Sequence, residues 1–343
     1  MFEKRTLSAK FFSSLKDFQL DTQHIEYRRD AIFDRWCRIN VERPKRVKQG
    51  SRTLDYAEFI SRSLEGCFFC PKNIDGATPK FTPGIAPEGR MRLGESWVFP
   101  NLFPFAQHHA IATITEKHFL KIDEFTERQV EDTLKASLDY FRRVNSADEK
   151  VKYATFNWNY LPPSGASIVH PHAQLIADPE PPYLTGMYLD ASERYYREHR
   201  ENYWLKLIKE EEEAGERFIG HTGEVAWFTS FVPLGNNEVN AVFEEASTLT
   251  DISEKDISDL SRGVIRVLHG YAKLGVESFN ITSYSAPLNE GAESFRLNFK
   301  FISRPDPQEY YTADAGFMEI LHHERVVEAM PEEVAIEMRK FFG

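Results

Sequence analysis

Two histidines and a glutamine alternate with a proline and an alanine in the segment 170–174 of this 343-residue sequence. Side chains at positions i, i+2 and i+4 of a strand share one face of a sheet. The spacing therefore predicts that His170, His172 and Gln174 point the same way. Pro171 cannot donate a backbone hydrogen bond, which places this strand at a sheet edge or a bulge. Two imidazoles and an amide on one open face predict a functional site.

A second group of reactive side chains is the pair Cys67 and Cys70, separated by two phenylalanines. Such a CxxC pair is either a redox dithiol or half of a zinc site. Redox pairs usually open a helix, whereas here a proline follows directly. Residues 71–95, rich in proline and glycine, predict a long loop, so the metal interpretation is favoured. Tetrahedral zinc needs four ligands, and His118 and His170 are the candidates for the other two.

Hydrophobic spacing predicts the elements that position these residues. Strands are predicted at 97–99, 110–114, 152–158 and 168–177, and helices at 126–144 and 254–274. Thr126, with Gln129 three residues later, predicts a capping box at the start of the first helix. Residues 1–25 indicate a polar leader with some helical spacing. The highly charged residues 190–217 predict a helical connector.

The order of elements before the connector recurs after it. Trp97 is followed by Trp227, 130 residues later, and the second predicted helix mirrors the first at a similar offset. Several matches in one order predict an internal duplication, although common elements can also coincide. The predicted fold class is α+β, with two fused units whose mainly antiparallel sheets carry packed helices. The predicted boundaries are 1–185 for the first unit, 186–220 for the connector and 221–343 for the second unit.

Charge and composition narrow the class of partner. The net charge is −11, with 42 basic and 53 acidic residues, which argues against a nucleic-acid partner because binding phosphate backbones needs excess Lys and Arg. No apolar run reaches the ~18 residues that span a bilayer and no signal-peptide core is found, so no membrane partner is expected. Three cysteines, an odd and sparse set, fit the reducing cytoplasm.

The charge is uneven, because residues 28–48, the basic island, hold eight basic and three acidic residues. This gives a local charge of +5, and the rest of the chain carries −16. The island predicts either a site for the phosphates of a small ligand or a solvated positive face.

These residues, in this order, resemble the galactose-1-phosphate uridylyltransferases of the histidine-triad superfamily. The likeness covers most of the chain and is carried by the segments 28–30, 35–36, 42–46, 49–50, 67–70, 97–101, 103–104, 159, 165–167 and 170–174. The HPHxQ motif with an upstream CxxC is specific to that family. The duplicated arrangement is also similar to its two fused histidine-triad units.

The resemblance implies a structural zinc ion held by Cys67, Cys70, His118 and His170. Four protein ligands leave no open coordination position, so the metal would not act as a Lewis acid. A zinc ion on His170 would fix the backbone that aims the neighbouring His172.

The resemblance also implies that His172 is the nucleophile that takes a nucleoside monophosphate from a nucleotide sugar. A neutral imidazole is a good nucleophile at pH 7 and later leaves easily, so the reaction would be ping-pong. Gln174 donates to a phosphoryl oxygen but cannot shuttle protons, which is consistent with transfer to a second substrate rather than hydrolysis. The residues implied to contact substrate are Arg28, Asn101, Asn159, Ser167, Gln174 and Glu319.

The second half departs from the family pattern in two places. Many family members carry a His-x-His there that helps bind another metal, whereas this chain has Asn298, Phe299 and Lys300, so no such site is expected. Glu319, the candidate for contacts with sugar hydroxyls, matches the hexose end of the family pocket only with its register shifted by about one residue. The pair His322 and His323 and the thiol of Cys37 have no predicted role beyond surface and packing.

The leading prediction is a UDP-glucose–hexose-1-phosphate uridylyltransferase-like enzyme of galactose metabolism that uses a nucleotide sugar and a sugar phosphate. One alternative is a nucleotide-sugar or dinucleotide phosphorylase, in which orthophosphate accepts adenylate. An alternative of another class is a zinc-stabilised nucleotide-binding protein without turnover. Family members pair as dimers with sites near the interface, so a homodimer is expected by resemblance.

Overall fold

The computed structural model describes residues 2–30, 32–46, 54–308 and 313–343. Lys48 of the basic island and the family-like residues Gln49 and Gly50 lie outside the described residues. The strands are β1 (Phe2–Ser13), β2 (Gln19–Asp30), β3 (Arg35–Ile39), β4 (Met91–Leu93), β5 (Ser96–Pro100), β6 (His108–Thr113), β7 (Tyr153–Tyr160), β8 (His172–Asp178), β9 (Phe218–Thr222), β10 (Val225–Thr229), β11 (Val239–Phe243), β12 (Phe279–Tyr284), β13 (Asn298–Ser303) and β14 (Arg325–Val327). The helices are α1 (Tyr56–Leu64), α2 (Pro71–Ala77), α3 (Glu127–Ala147), α4 (Tyr183–His199), α5 (Tyr203–Ala214), α6 (Glu254–Lys273), α7 (Phe317–Leu321) and α8 (Pro331–Phe342).

Ten strands form one antiparallel sheet in the order β4-β5-β6-β8-β7-β12-β13-β11-β10-β9. Each half follows the same path, with three consecutive strands, a long helix, and two strands whose order in the sheet is reversed. The halves join edge to edge through β7 and β12. The predicted α+β fold with an internal duplication is thus confirmed. The unit boundaries given above remain a prediction.

The long helix of each half begins at a capping box. The Thr126 side chain accepts a hydrogen bond from the backbone N–H of Gln129, whose own side chain caps Thr126 in return. Ser253 and Asp256 make the equivalent pair at the start of α6. The capping box predicted at Thr126 is therefore confirmed, and its recurrence agrees with the duplication.

The two faces of the large sheet bury different side chains. One face is apolar and packs under α3, α6 and α8 in the largest core. That core includes Phe156, Trp158, Trp227, Phe279, Phe299 and Phe301. The opposite face is polar in the first half, where Asn157 and Gln174 are register partners. Over the second half, α4 and α5 cover this face with a core that includes Tyr188, Trp204 and Tyr284.

Two segments differ from the predicted elements. Where a helical leader was predicted at 1–25, the described residues from 2 onward belong instead to the hairpin of β1 and β2, which pair over twelve residues. This hairpin forms a second, four-stranded sheet with β3 and β14. Within the predicted loop 71–95, the structure contains α2 and β4. The helix α2 forms there because Pro71, at the first helical position, pre-sets the helical φ angle. In the described ranges, none of the helices is long and apolar enough to cross a membrane.

Candidate active site and metal centre

A compact group of sulfur and nitrogen atoms lies at one end of the first half of the sheet. Cys67, Cys70, His118 and His170 each offer one ligand atom, and these atoms all lie within 4.8 Å of one another. The Nδ1 atoms of His118 and His170 are 3.5 Å and 3.6 Å from Cys70 Sγ. The cysteines immediately precede α2, and the histidines lie after β6 and before β8. The fold therefore brings together the four predicted zinc ligands. Their cluster could hold a metal ion.

Hydrogen bonds on the far side of each imidazole set which nitrogen faces the cysteines. His170 Nε2 donates to the carbonyl of Thr115 at 2.8 Å. His118 Nε2 lies 2.9 Å from Ser63 Oγ, whose hydroxyl donates to the carbonyl of Ile60 and is thus left to accept. Both Nδ1 atoms therefore keep their lone pairs toward the thiols. Metal-binding histidines are typically oriented in this way, so the donor set fits a metal ion.

The cysteine pair precedes a helix, contrary to the predicted loop. Cys70 is the N-cap of α2, so the absence of a helix no longer argues against a redox role. The two histidines supply the argument instead, because they complete a tetrahedral donor set. Burial, together with the neighbouring Cys67, also raises the pKa of Cys70 to about 11, whereas redox-active cysteines have a lowered pKa.

The strand that carries His172 begins later than predicted, so the expected common face of three side chains was only partly right. β8 starts at His172, and His170 lies outside the strand with its ring turned to the cysteines. Pro171 between them cannot donate to a ladder, although its carbonyl accepts from the N–H of Ile114 at 2.9 Å. Only His172 and Gln174 therefore share a face as strand neighbours.

His172 is held in one tautomer by the backbone of His170. Its Nδ1 donates to the His170 carbonyl at 2.8 Å, so Nε2 carries the lone pair. The side chain is 5% exposed, and burial lowers its pKa, which keeps the ring neutral. The ring also packs edge-on against Phe69, with 5.2 Å between centroids. A neutral, oriented imidazole with a fixed lone pair is the arrangement that a nucleophilic histidine requires.

His109, on β6, was not identified from the sequence. The backbone N–H of Phe105 donates to its Nδ1 at 3.4 Å, and its Nε2 lies 3.0 Å from Gln174 Oε1. Because Nε2 donates to that oxygen, the Gln174 amide nitrogen is turned away from His109 and is available as a donor. Asn101 Nδ2 also lies 3.1 Å from His109 Nε2, which brings Asn101 beside Gln174. The signal for His109 is its position on β6, the strand next to β8. Using that signal requires the register between the two strands.

Asn159 lies near His172 across the sheet, and Ser167 comes five residues before His172 in the chain. The register pairs Trp158 with Ala173, so Asn159 lies opposite His172. Ser167 is exposed in the loop between β7 and β8. The first half of the sheet therefore brings Asn159 together with His172, Gln174 and Asn101, whereas Ser167 is placed near them only by its position in the chain.

An open groove of about 640 Å³ continues along the polar face beside this group. Its lining includes Phe105, Asn157, Ile176, Thr282 and Tyr284. It offers room for an extended small molecule next to Gln174.

Arg28 is not part of this group. Its guanidinium is 1% exposed, pairs with both carboxylate oxygens of Glu332 at 2.9 Å and 3.0 Å, and lies against the ring of Phe231. Phe231 follows β10, which is five inter-strand spacings, or roughly 24 Å, from β8. Within one chain, Arg28 therefore links β2 to α8 and does not contact a phosphate at His172.

Glu319 and part of the basic island lie together at a second place. With Arg43 and Arg46, Glu319 lines a cavity of about 610 Å³ beyond the end of β13. Glu319 also caps α7, because its carboxylate accepts from the N–H of Gly316 at 2.8 Å. Its second oxygen accepts from the N–H of Val326, on β14, at 3.1 Å. The island is divided, since Arg43 and Arg46 both approach Glu328 beside this cavity, whereas other members pair with other carboxylates. These pairs are Arg29 with Glu3 and Asp34, Arg38 with Glu324, and Lys45 with Glu42.

Comparison with known proteins identifies one protein family and one fold. No family model matches this sequence. An uncharacterized protein of Archaeoglobus fulgidus is 30% identical over 290 residues, which are 84% of this chain and 85% of that protein. The chain belongs to the family of this archaeal protein.

Several solved structures share the fold of this chain. An ADP-glucose phosphorylase from Arabidopsis thaliana with bound ADP-glucose has a TM-score of 0.72 at 18% identity, over 92% of this chain and 99% of that chain. A galT-like protein from the same plant has a TM-score of 0.70 at 18% identity, over 92% and 98%. A uridylyltransferase has a TM-score of 0.67 at 18% identity, over 92% and 98%. The chain thus has the fold of the uridylyltransferases, built from two fused units of the same topology.

The two units of this fold differ at the position of His172. Lys300 lies on β13, the strand that corresponds to β8, and its ammonium is 3.0 Å from Glu238 and also contacts Asn240. The Lys300 side chain is 7% exposed. The second unit therefore carries a buried ion pair where the first carries the candidate nucleophile.

We expect the protein to bind about one metal ion per chain at the Cys67 cluster. Elemental analysis of the purified protein measures this directly. Cys67→Ser should lose the metal, because a hydroxyl is a poor replacement for a thiolate ligand. Cys37→Ala is the matched control, since Cys37 is a packed core thiol away from the cluster and burial raises its pKa to about 12. Metal retained in full by Cys67→Ser would contradict the assignment.

Proposed function

We propose that the protein is a nucleotidylyltransferase that moves a nucleoside monophosphate between a nucleotide sugar and a hexose 1-phosphate. The observation that supports this most directly is the geometry of His172. Its Nδ1 proton is engaged by the His170 carbonyl at 2.8 Å, so the nucleophilic lone pair lies on Nε2. Gln174, two residues along the same strand face, has its oxygen engaged by His109.

In the proposed first step, His172 Nε2 attacks the phosphorus that joins the nucleoside to the sugar phosphate. The N–P bond forms, the bond from phosphorus to the bridging oxygen breaks, and hexose 1-phosphate leaves. In the second step a phosphate oxygen of another hexose 1-phosphate attacks the same phosphorus, and neutral His172 is released. Gln174 donates to a phosphoryl oxygen in both steps, and the groove at Asn157 receives part of the nucleotide sugar.

The proposed metal is a structural zinc ion at Cys67, Cys70, His118 and His170. Two thiolates and two imidazoles are a typical zinc donor set. When bound, it would stabilise the loop that carries His170. His170 then positions His172 through its backbone carbonyl, so loss of the ion is expected to misdirect the nucleophile.

Incubation with labelled UDP-glucose or ADP-glucose tests the covalent step. The wild-type protein should trap a label that is stable to alkali and labile to acid, as a phosphorus–imidazole bond is, and His172→Gly should trap none. Using both sugars also tests which nucleobase is accepted. Tight nucleotide binding without an adduct for any nucleotide sugar would contradict the proposal. It would instead support a zinc-stabilised nucleotide-binding protein without turnover.

A nucleotide-sugar phosphorylase is the second candidate, and the hydrogen bonding of Glu319 favours it. Both of its carboxylate oxygens already accept backbone hydrogen bonds, which leaves it less suited to holding sugar hydroxyls. A solved protein with the same fold is an ADP-glucose phosphorylase. In that reaction, orthophosphate would attack the nucleotidyl-His172 in the second step.

Acceptor preference separates the two candidates. Discharge of the purified labelled adduct is followed with orthophosphate and with galactose 1-phosphate at equal concentrations. If the leading proposal holds, the sugar phosphate discharges the label at least about tenfold faster and yields a nucleotide sugar. Faster discharge by orthophosphate, with a nucleoside diphosphate as product, would establish the phosphorylase instead.

We further propose a homodimer in which the cavity of Arg43, Arg46 and Glu319 faces His172 of the second subunit. Three inter-strand spacings, or roughly 14 Å, separate β8 from β13 within one chain, and the cavity lies beyond β13. Both arginines approach Glu328, which holds their guanidinium groups at the cavity. They are the described part of the basic island best placed to meet phosphates.

Subunit mixing tests the shared site. His172→Gly and the double variant Arg43→Ala/Arg46→Ala should each be inactive alone. After mixing and subunit exchange, about a quarter of wild-type activity should return, because mixed dimers contain one complete site. A monomer by light scattering, or a dimer whose mixture stays inactive, would contradict the proposal.

A further inference from the structure

A chain of hydrogen bonds crosses from the second unit into the candidate active site. Arg304 pairs with both oxygens of Asp314, at 2.8 Å and 2.6 Å. A further guanidinium nitrogen of Arg304 donates to Asn280 Oδ1 at 2.7 Å. Asn280 Nδ2 in turn donates to Asn159 Oδ1 at 2.6 Å and to the carbonyl of Ser164 at 2.9 Å.

The chemistry of its partners fixes the direction of the Asn280 amide. The two ends of a carboxamide have the same shape, so neighbouring donors and acceptors determine which end points where. A guanidinium can only donate, and a backbone carbonyl can only accept. Arg304 therefore requires the oxygen of Asn280 on one side, and Ser164 requires its nitrogen on the other.

This direction is passed on to Asn159. Because Asn280 presents its nitrogen, the facing atom of Asn159 must be its oxygen, and Asn159 Nδ2 points away from Asn280. That nitrogen lies toward Gly165, where a Cβ atom would be 3.8 Å from it. Gly165 begins the loop that carries Ser167 and leads to His172. The donor end of Asn159 is thus turned toward the start of this loop.

We propose that Asn280 is a positioning residue that holds the Asn159 amide with its N–H groups directed at the nucleotide. Phosphate oxygens only accept hydrogen bonds, so a reversed Asn159 would present an oxygen to them and repel them. This inference rests on the proposed function, because it assigns a nucleotide to the site. Backbone pairing of Asn280 with Asn159 in the β7–β12 ladder would be satisfied by many side chains. The polar chain therefore adds a constraint that the fold alone does not require.

The substitution Asn280→Asp tests the proposal with almost no change in shape. The new carboxylate still accepts from Arg304, but it has no N–H, so Asn159 must turn its nitrogen toward that carboxylate and its oxygen toward the nucleotide. We expect kcat/KM for nucleotidyl transfer to fall about tenfold to a hundredfold, the usual range for losing a hydrogen bond to a charged group. Nucleotide affinity measured by calorimetry should fall by a similar factor.

The same substitution in an Asn159→Ala background separates positioning from a structural effect. If Asn280 acts through Asn159, Asn280→Asp changes kcat/KM less than about twofold once the Asn159 amide is gone. An effect that acts through Ser164 or through folding would persist in both backgrounds. Equal effects in the two backgrounds would overturn the inference.

Arg304 provides a second pair of variants if Asn280→Asp fails to fold. Arg304→Lys keeps a group that only donates and should retain most activity, whereas Arg304→Met removes the donor and should lose it. Equal activity of the two variants would also contradict the positioning role. A wild type that forms no adduct overturns the proposed function, and the calorimetric measurement then still tests the inference. A wild type that neither reacts nor binds nucleotide overturns both.

Discussion

The hydrogen bond between the His170 carbonyl and His172 Nδ1 links the candidate metal ligands to the candidate nucleophile. One residue serves both, because the side chain of His170 faces the cysteines while its backbone oxygen sets the tautomer of His172. Pro171 between them ends the ladder, so His170 can leave the strand while His172 remains on it. A change in the conformation of the loop at His170 would therefore disturb both the metal ligands and the orientation of His172.

The duplicated fold uses its two units differently. In the first unit the polar face of the sheet is open, and neutral side chains such as Gln174 and Asn157 lie along it. In the second unit α4 and α5 cover that face, and Lys300 forms a buried ion pair with Glu238. The second unit also contributes Asn280 and Arg304 at the junction. One copy of the fold thus supplies the candidate reactive face, and the residues of the other are proposed to stabilise and orient it.

The sequence predicted those features that depend on local spacing or on residue type. The capping box at Thr126, the duplication and the convergence of Cys67 with His170 follow from such patterns. It did not predict His109, because its contact with Gln174 depends on the register between strands that are far apart in sequence. The proline and glycine content of residues 71–95 predicts a loop, yet Pro71 suits the first turn of a helix and begins α2. Arg28 was assigned to the nucleotide by resemblance, but its carboxylate partner Glu332 comes from the far end of the chain.

The hydrogen bond on His172 Nδ1 also bears on the energy of any bond formed at Nε2. A backbone carbonyl, unlike a carboxylate, accepts a hydrogen bond without any ability to take up the proton. A nucleotidyl group on Nε2 would therefore sit on a ring that stays positively charged and is a good leaving group. Such an intermediate retains a high group-transfer potential, so exchange between two phosphate esters would run in either direction, governed by their concentrations.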